Sequence, residues 1–461
     1  MSSTESQDRA EEREDEFELD PEVVASIIQA LDSEDRAALR PQLDGLHVAD
    51  LADLIEQLGA ERRRRLFALA WDEIDSEVLI ELEEGVRDEV LELLKPAELA
   101  EAAKAFETDD VVYLLSDLDE EQRREVLEAL DPADRIAVTR SLSYPDYSAG
   151  RLMQTEFVRA PSFWTVGQMI DFMRASKDLP EQFYDIVVVD AALKPVGLLP
   201  LAKVLGNRRP VKLGAIMNED FHSLHVEDSQ EDVGYAFKQY HLVSAPVLDD
   251  DGRIAGVITI DDAVEALDDE AEEDLKRLGG VGDEEISDNV WEITKRRFPW
   301  LAVNLGTAIL ASLVIAQFDD TIAQVVALAV LMPIVASMGG NAGTQSLTVA
   351  VRALATRDLT GTNAGRVVMR EAIVGAINGV AFAVVMGIIA WVWFGDQAIG
   401  GVIAVAMVIN LLAAALAGIL IPLALDRAGA DPALASGTFV TTVTDVVGFL
   451  AFLGLAAMVL L

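Results

Sequence analysis

Cysteine is absent from the 461 residues, which excludes disulfides, thiolate catalysis and Cys-ligated zinc. Histidine occurs four times, at His47, His222, His225 and His241, and only nine of the 36 basic residues are lysine. Against 79 acidic residues this gives a net charge of −43, which excludes the nucleic-acid backbone as a main partner. Such acidity suits cations, or a proteome adapted to a salt-rich cytoplasm; both readings stand on composition alone. Beyond Arg297 positive charge nearly disappears. Only Arg352, Arg357, Arg366, Arg370 and Arg427 remain there, with eight acidic residues, a net of −3 that leaves −40 on the first 297 residues. Also missing are GxxxxGK[ST], HExxH and GxSxG, so no motif for coupling ATP hydrolysis or for peptidase or esterase chemistry is in view. The lead MSSTESQDRAEEREDEFEL, residues 1–19, has no apolar core and reads as a disordered acidic segment rather than a signal peptide.

What is present is a membrane half and a soluble half. Uncharged runs long enough to cross a bilayer as helices start at Trp300, Thr321, Ala372, Ile399 and Leu434, which predicts five spans over residues 298–461. Lys295, Arg296, Arg297, Arg352, Arg357, Arg366, Arg370 and Arg427 all fall on one side of these spans. The opposite loops, at 318–320 and 395–397, have neither Lys or Arg, so the N-terminal half is expected in the cytoplasm and the C-terminus outside.

Span two contains PIVASMGGNAGTQS, where Pro333, Gly339, Gly340 and Gly343 predict a broken helix. Irregular backbone at membrane depth is tolerated only where it is buried in protein or lines a wet cavity, although small residues also suit close helix packing. In span five, Thr438, Thr441, Thr442 and Asp445 recur at helical spacing on one broad face. Asp445 is the single ionisable residue between Leu434 and the chain end, and no basic residue inside a span is available to pair with it. A carboxylate in hydrocarbon is expensive, so the residue points to an ion site. One carboxylate makes a poor Ca2+ cage but suits Mg2+, which keeps most of its waters.

Residues 20–145 are helical in pattern with a repeat of about 24: Leu58, Leu82, Phe106 and Leu130 are equivalent, as are Leu66, Val90 and Leu114. This periodicity predicts stacked helical pairs in an all-α superhelix. From about Gly150, strand and helix patterns alternate in two units, 146–210 and 211–267, whose openings GRLMQTEFVRAP and LGAIMNEDFHSLHVED lie about 64 residues apart. A charged connector predicted to be helical follows at 268–297 and includes DEAEEDLKRLGGV. A charge run is usually a solvated face, but this one leads directly into the first span.

The two α/β units resemble tandem CBS domains. That resemblance implies a nucleotide-binding pattern of Gly256, Thr259 and Asp262 in the second unit; the first has Gly197, Pro200 and Lys203 instead. Taken with PIVASMGGNAGTQS, DPALASGTFVTTVTDVVG and DEAEEDLKRLGGV, the chain resembles the MgtE family of magnesium transporters over nearly its whole length. The fold class implied is a multidomain membrane protein: a superhelical N domain, an α/β CBS pair and a five-span α-helical domain.

By the same resemblance the protein would be a homodimer in the plasma membrane, not an enzyme. Its Mg2+ pore would use Asp445, Thr441, Gly340, Asn341, Thr344 and Thr348. Regulatory Mg2+ would bind at Asp228, Glu231, Asp262, Glu265, Glu270, Glu273, Asp274, Glu371 and Asp431, with ATP as a candidate ligand of the CBS pair. His241 and Ser229 stand where relatives have acids. Two alternatives stay open: a membrane-anchored CBS sensor of nucleotide or cation that transports nothing, and a transporter preferring another divalent cation such as Co2+.

Overall fold

The computed structural model describes residues 19–177, 179–180, 182–281 and 290–461. The acidic lead at 1–18 and the connector stretch 282–289 lie outside the described residues. The chain divides into two compact units, Met1–Asp268 and Asp269–Leu461.

The first unit begins with ten α-helices among the described residues, from Pro21–Asp32 to Pro132–Ser141. Part of the acidity is spent on starting them. Asp20, Asp35 and Asp119 accept backbone N–H groups at helix N-termini, where a carboxylate satisfies orphan donors and meets the positive end of the helix dipole. Proline stands in the first turn of the helices beginning at Pro21, Pro96 and Pro132, where its missing N–H costs nothing. The repeat is visible in the packing: Leu58, Leu82, Leu130, Leu66, Val90 and Leu114 are all in the core, and Phe106 packs against it. Two arginines share the same register. Arg63 donates to the Leu58 carbonyl at 3.1 Å and Arg87 to the Leu82 carbonyl at 3.0 Å. Arg87 is fully buried, yet it is paired with Asp117 at 2.8 Å and lies 4.1 Å over the Tyr113 ring, so its charge is compensated.

Two three-stranded sheets follow, β1 (Arg159–Pro161), β2 (Asp185–Val189), β3 (Pro195–Pro200) and β4 (Leu224–His225), β5 (Ser244–Leu248), β6 (Ile254–Thr259). In each, the first strand pairs parallel to the second and the second antiparallel to the third. Even the irregularity repeats, at Val188/Val189 and at Val247/Leu248. The hairpins close alike: the Asp190 and Asp249 carboxylates each accept two backbone N–H groups of their own turn. A positive φ falls on Gly252 in the second hairpin and on Leu193 in the first. The duplicated topology is that of the α/β pair expected from the sequence.

Among the described residues of the second unit five helices are long and apolar enough to cross a membrane: Ile293–Ala316, Ala327–Ala355, Ala364–Phe394, Gln397–Arg427 and Gly437–Val459. Span four is the hub, with 61% of its apolar window buried against 6% for span one. Its Ala406, Leu411, Ala414 and Ala415 are small or apolar and covered by neighbours.

Span two departs from expectation. Ala327–Ala355 is one continuous helix through Pro333 and the glycines. In an apolar setting no water competes for the backbone groups, so a proline costs one hydrogen bond without unwinding the segment. The glycines serve approach instead. A methyl on Gly343 would lie 2.5 Å from Val440 of span five, and one on Gly418 of span four 2.6 Å from the Gly343 carbonyl.

Candidate functional site

The polar positions of span two lie on one stripe. Ser337, Asn341, Thr344 and Thr348 are exposed at the surface of the chain and Gly340 is partly so, while Gly339, Gly343, Ser346 and Leu347 face inward. In span five Thr441 is exposed and Asp445 half-buried. No hydrogen bond or ion pair reaches the Asp445 carboxylate among the described residues. The threonines around it are occupied locally: Thr441 donates to the Gly437 carbonyl, Thr442 to Thr438 and Thr444 to Thr441. Thr438, grouped with them in the sequence reading, is instead buried and donates to Asn304 Oδ1 of span one at 2.7 Å.

The acidic residues expected to sense cations are dispersed. Asp228 caps its own turn, accepting the His225 N–H at 2.7 Å, and Glu231 is exposed in the first turn of the helix Gln230–Tyr240. Asp262 Oδ2 accepts the Thr259 hydroxyl at 2.7 Å. The helix Ile260–Gly279 carries Glu265 on its exposed side. Further along, Glu270, Glu273, Asp274 and Arg277 stand three and four residues apart, one half-buried face. Arg277 there pairs with both Glu273 and Asp431, and Asp431 is also the N-cap of the span-five helix, accepting from Ala433 N–H. Glu371, 8% exposed, accepts the Ser346 hydroxyl of span two at 3.0 Å and lies 3.2 Å from Arg370. Among the described residues no three acidic or histidine side chains form a group ready to chelate a metal ion.

Sequence reasoning missed one feature of the first unit. Glu107, Asp109 and Asp110, around the start of the helix Thr108–Ser116, feel the charge of Asp262 of the α/β pair, and Glu107 that of Glu156 as well. Burial pushes Glu107 and Asp110 up to about 7 and Asp262 up to about 6; Asp109, buried and facing the charge of Asp262, is held well above the usual carboxylate range. Glu156 accepts the Thr108 N–H at 3.1 Å and its hydroxyl at 2.7 Å. Separation in the chain hid the patch, because Asp110 and Asp262 are about 150 residues apart. Asn304 and Asn410 were also overlooked, being single polar residues with no motif around them, and Arg277 was passed over among the acids of DEAEEDLKRLGGV.

A narrow cleft of about 20 Å³ lies between the two sheets, lined among others by Phe157, Tyr184, Asp185, Ser244 and Thr259. Asp185 accepts the Ser244 hydroxyl at 2.7 Å, and burial raises its carboxyl. Gly256 is required beside it, since a methyl there would sit 2.6 Å from the Gln154 carbonyl.

Five membrane helices among the described residues, joined in one chain to an α/β pair, define a multi-pass membrane protein. Residues 332–455 match the family model of the MgtE divalent cation transporter, 46–147 that of the MgtE intracellular N domain and 213–269 that of the CBS domain. The protein called magnesium transporter MgtE of Thermus thermophilus is 31% identical over 463 residues, 96% of this chain and 99% of that one. Its namesake from Enterococcus faecalis is 36% identical over 317 residues, 69% of this chain and 70% of that protein. Among solved structures, the cytosolic domain of the Mg2+ channel MgtE in complex with ATP is 29% identical, covering 52% of this chain and 99% of that one at a TM-score of 0.48. The chain belongs to the MgtE family, and its N-terminal domains are cytoplasmic.

Proposed function

We propose that this protein is a Mg2+ channel, formed by two copies of the chain, that passes the hydrated ion along span two and past Asp445. The observation that carries this reading is the polar stripe on the protomer surface. Hydroxyl and amide groups facing lipid, beside a half-buried carboxylate without a partner, are stable only if something wet or polar covers them. Helical rotation supports a single covering surface. In each helix the polar positions lie about 100–160° from the contact residues Gly343 and Val440, in the same rotational sense. Spans two and five alternate in direction, so equal rotations turn both polar faces to one side of the bundle. A second copy meeting that side would enclose a polar passage with one Asp445 from each chain. Two carboxylates favour a divalent over a monovalent ion, and Mg2+ would keep its waters and bind through them.

The inside-negative potential supplies roughly 4.6 kcal/mol per 100 mV for a divalent ion, twice the single-charge value, so influx needs no ATP hydrolysis. Three relatives are called magnesium transporters, which supports Mg2+ as the substrate.

Closure by cytosolic Mg2+ is the second part of the proposal. The face of Glu270, Glu273 and Asp274, the Asp431 cap, Glu371, and the crowded patch of Glu107, Asp109, Asp110 and Asp262 are carboxyl groups whose mutual repulsion a divalent ion relieves. Asp228, Glu231 and Glu265 are further regulatory candidates. No preformed chelate exists among the described residues, so ions would bind by drawing carboxylates together, partly through water. At low Mg2+ repulsion returns and the gate opens. The C-terminus would lie outside the cell.

ATP is a candidate ligand between the sheets, where Phe157 and Tyr184 would stack on the base and Asp185 and Thr259 would bond to it, but the narrow cleft would have to widen to admit a nucleoside. No Lys or Arg lines it, so the phosphates would be held with their own Mg2+.

Purified protein in liposomes holding a Mg2+-sensitive dye tests the reading. Imposing an inside-negative potential should drive Mg2+ entry from outside, and millimolar Mg2+ on the cytoplasmic face should suppress it. An Asp445→Ala protein that remains a dimer yet takes up Mg2+ like the unaltered protein would overturn the pore assignment. A dye response at background level for the unaltered protein would favour the non-transporting sensor.

A further inference from the structure

The least expected polar group in the membrane unit is Asn410, in the middle of span four. Its side chain is fully buried. Nδ2 donates to the Val335 carbonyl of span two at 2.8 Å, while Oδ1 has no hydrogen-bond partner. A buried amide left half satisfied is costly, and a leucine of similar size would fill the site without that cost. Local stability therefore does not explain the asparagine.

Its surroundings do. A methyl on Gly339 of span two would stand 2.2 Å from Nδ2, and a methyl on Gly448 of span five 2.8 Å from the same atom. One amide is thus wedged between two helices that can approach it only because both carry glycine at the point of contact. Gly339 adjoins Gly340 and Asn341 of the polar stripe, and Gly448 is one helical turn beyond Asp445. The amide braces, from behind, the segments that carry the candidate pore groups.

We propose that Asn410 is a positioning residue for ion selection: its hydrogen bond to span two and its contact with span five set the distance between the Asn341 stripe and Asp445. This inference rests on the reading of Asp445 as the pore carboxylate. A hydrated ion is recognised at a spacing fixed to a fraction of an ångström, so a brace that loosens changes which ion passes as well as how fast.

Full-length protein in liposomes tests it, with Mg2+ and Na+ fluxes measured on the same preparations. Asn410→Leu and Asn410→Ala should each lower the Mg2+ to Na+ flux ratio at least tenfold. Asn410→Leu should keep the dimer and a melting temperature close to that of the unaltered protein. Gly339→Ala should lose Mg2+ flux by steric conflict with the amide, and Gly339→Ala combined with Asn410→Ala should recover a substantial part of it. Unchanged ratios in both Asn410 variants would overturn the inference, as would Mg2+ and Na+ fluxes falling equally in step with thermal stability. Absence of any rescue in the double variant would count equally against it. Asp445→Ala in the same assay separates the two readings. A silent Asp445→Ala with intact selectivity in the Asn410 variants refutes the brace alone; a conducting Asp445→Ala refutes the pore beneath it.

Discussion

Glu107, Asp109, Asp110 and Asp262 crowd four carboxyl groups into one buried patch of the first unit, whereas Asp445 is the single acid inside its span in the second. The crowded acids have an alternative to a cation, because each can hold a proton near neutral pH. Asp445 has no such neighbours, and its neighbouring hydroxyls are already bonded to backbone carbonyls. A patch of weak acids suits graded, reversible response to ions, and a lone carboxylate suits passage. Under the proposed function the crowded patch, with the acidic face of the second unit, would sense the ion, and the lone carboxylate would pass it.

The sharpest way to break that division is at Asp445. Asp445→Asn keeps shape and removes charge, so Mg2+ uptake into liposomes should fall to the background of protein-free vesicles, a loss of a hundredfold or more. Persistence of even a third of the flux would mean that the hydroxyl stripe of span two conducts by itself. Next in size is neutralisation of Glu270, Glu273 and Asp274 together to Gln, Gln and Asn. The channel should then stay open at cytoplasmic Mg2+ that closes the unaltered protein, shifting half-inhibition more than tenfold. Unchanged inhibition would move sensing wholly to the Glu107 patch.

That patch has its own signature in pH. Its carboxyl groups hold protons when folded at pH values where the unfolded chain has lost them, so folded pKa exceeds unfolded pKa. Their contribution to stability is full below about pH 4 and is lost as pH rises through 6 and 7. Metal-free protein should therefore melt several degrees lower at pH 8 than at pH 6, with added Mg2+ restoring more at pH 8. Calorimetry with and without EDTA measures this, and Asp110→Asn should flatten the difference. Equal melting at both pH values would mean that the patch is solvated and inert.

The five spans were legible because apolar runs longer than about 18 residues have few other uses. The helical repeat was legible because its core positions recur every 24 residues and are buried where they recur. Span two was misjudged at Pro333 and its glycines: sequence rules for helix breaking describe chains in water, and here the same glycines admit Asn410 and Val440. The Glu107 patch could not be read, since nothing local links one helix start to an aspartate 150 residues on. Asp445 stood out in the sequence as the isolated acid of its span, but separating Thr438 from it needed the fold, which turns that hydroxyl to Asn304.

The smallest effect is expected at Arg277, and its sign is informative. The guanidinium lies between Glu273 and Asp431, tying the acidic helix to the first turn of span five as a bound cation would. All three side chains are about a third exposed, so each pair is worth at most about 1 kcal/mol. Arg277→Ala leaves two carboxylates facing each other and frees the place between them for Mg2+. Half-inhibition of uptake should then move to lower cytoplasmic Mg2+ by about threefold, the equivalent of about 0.6 kcal/mol. A shift to higher Mg2+ would mean instead that the arginine itself holds the gate shut and that the ion acts elsewhere, which would leave the crowded patch of the first unit as the stronger candidate sensor.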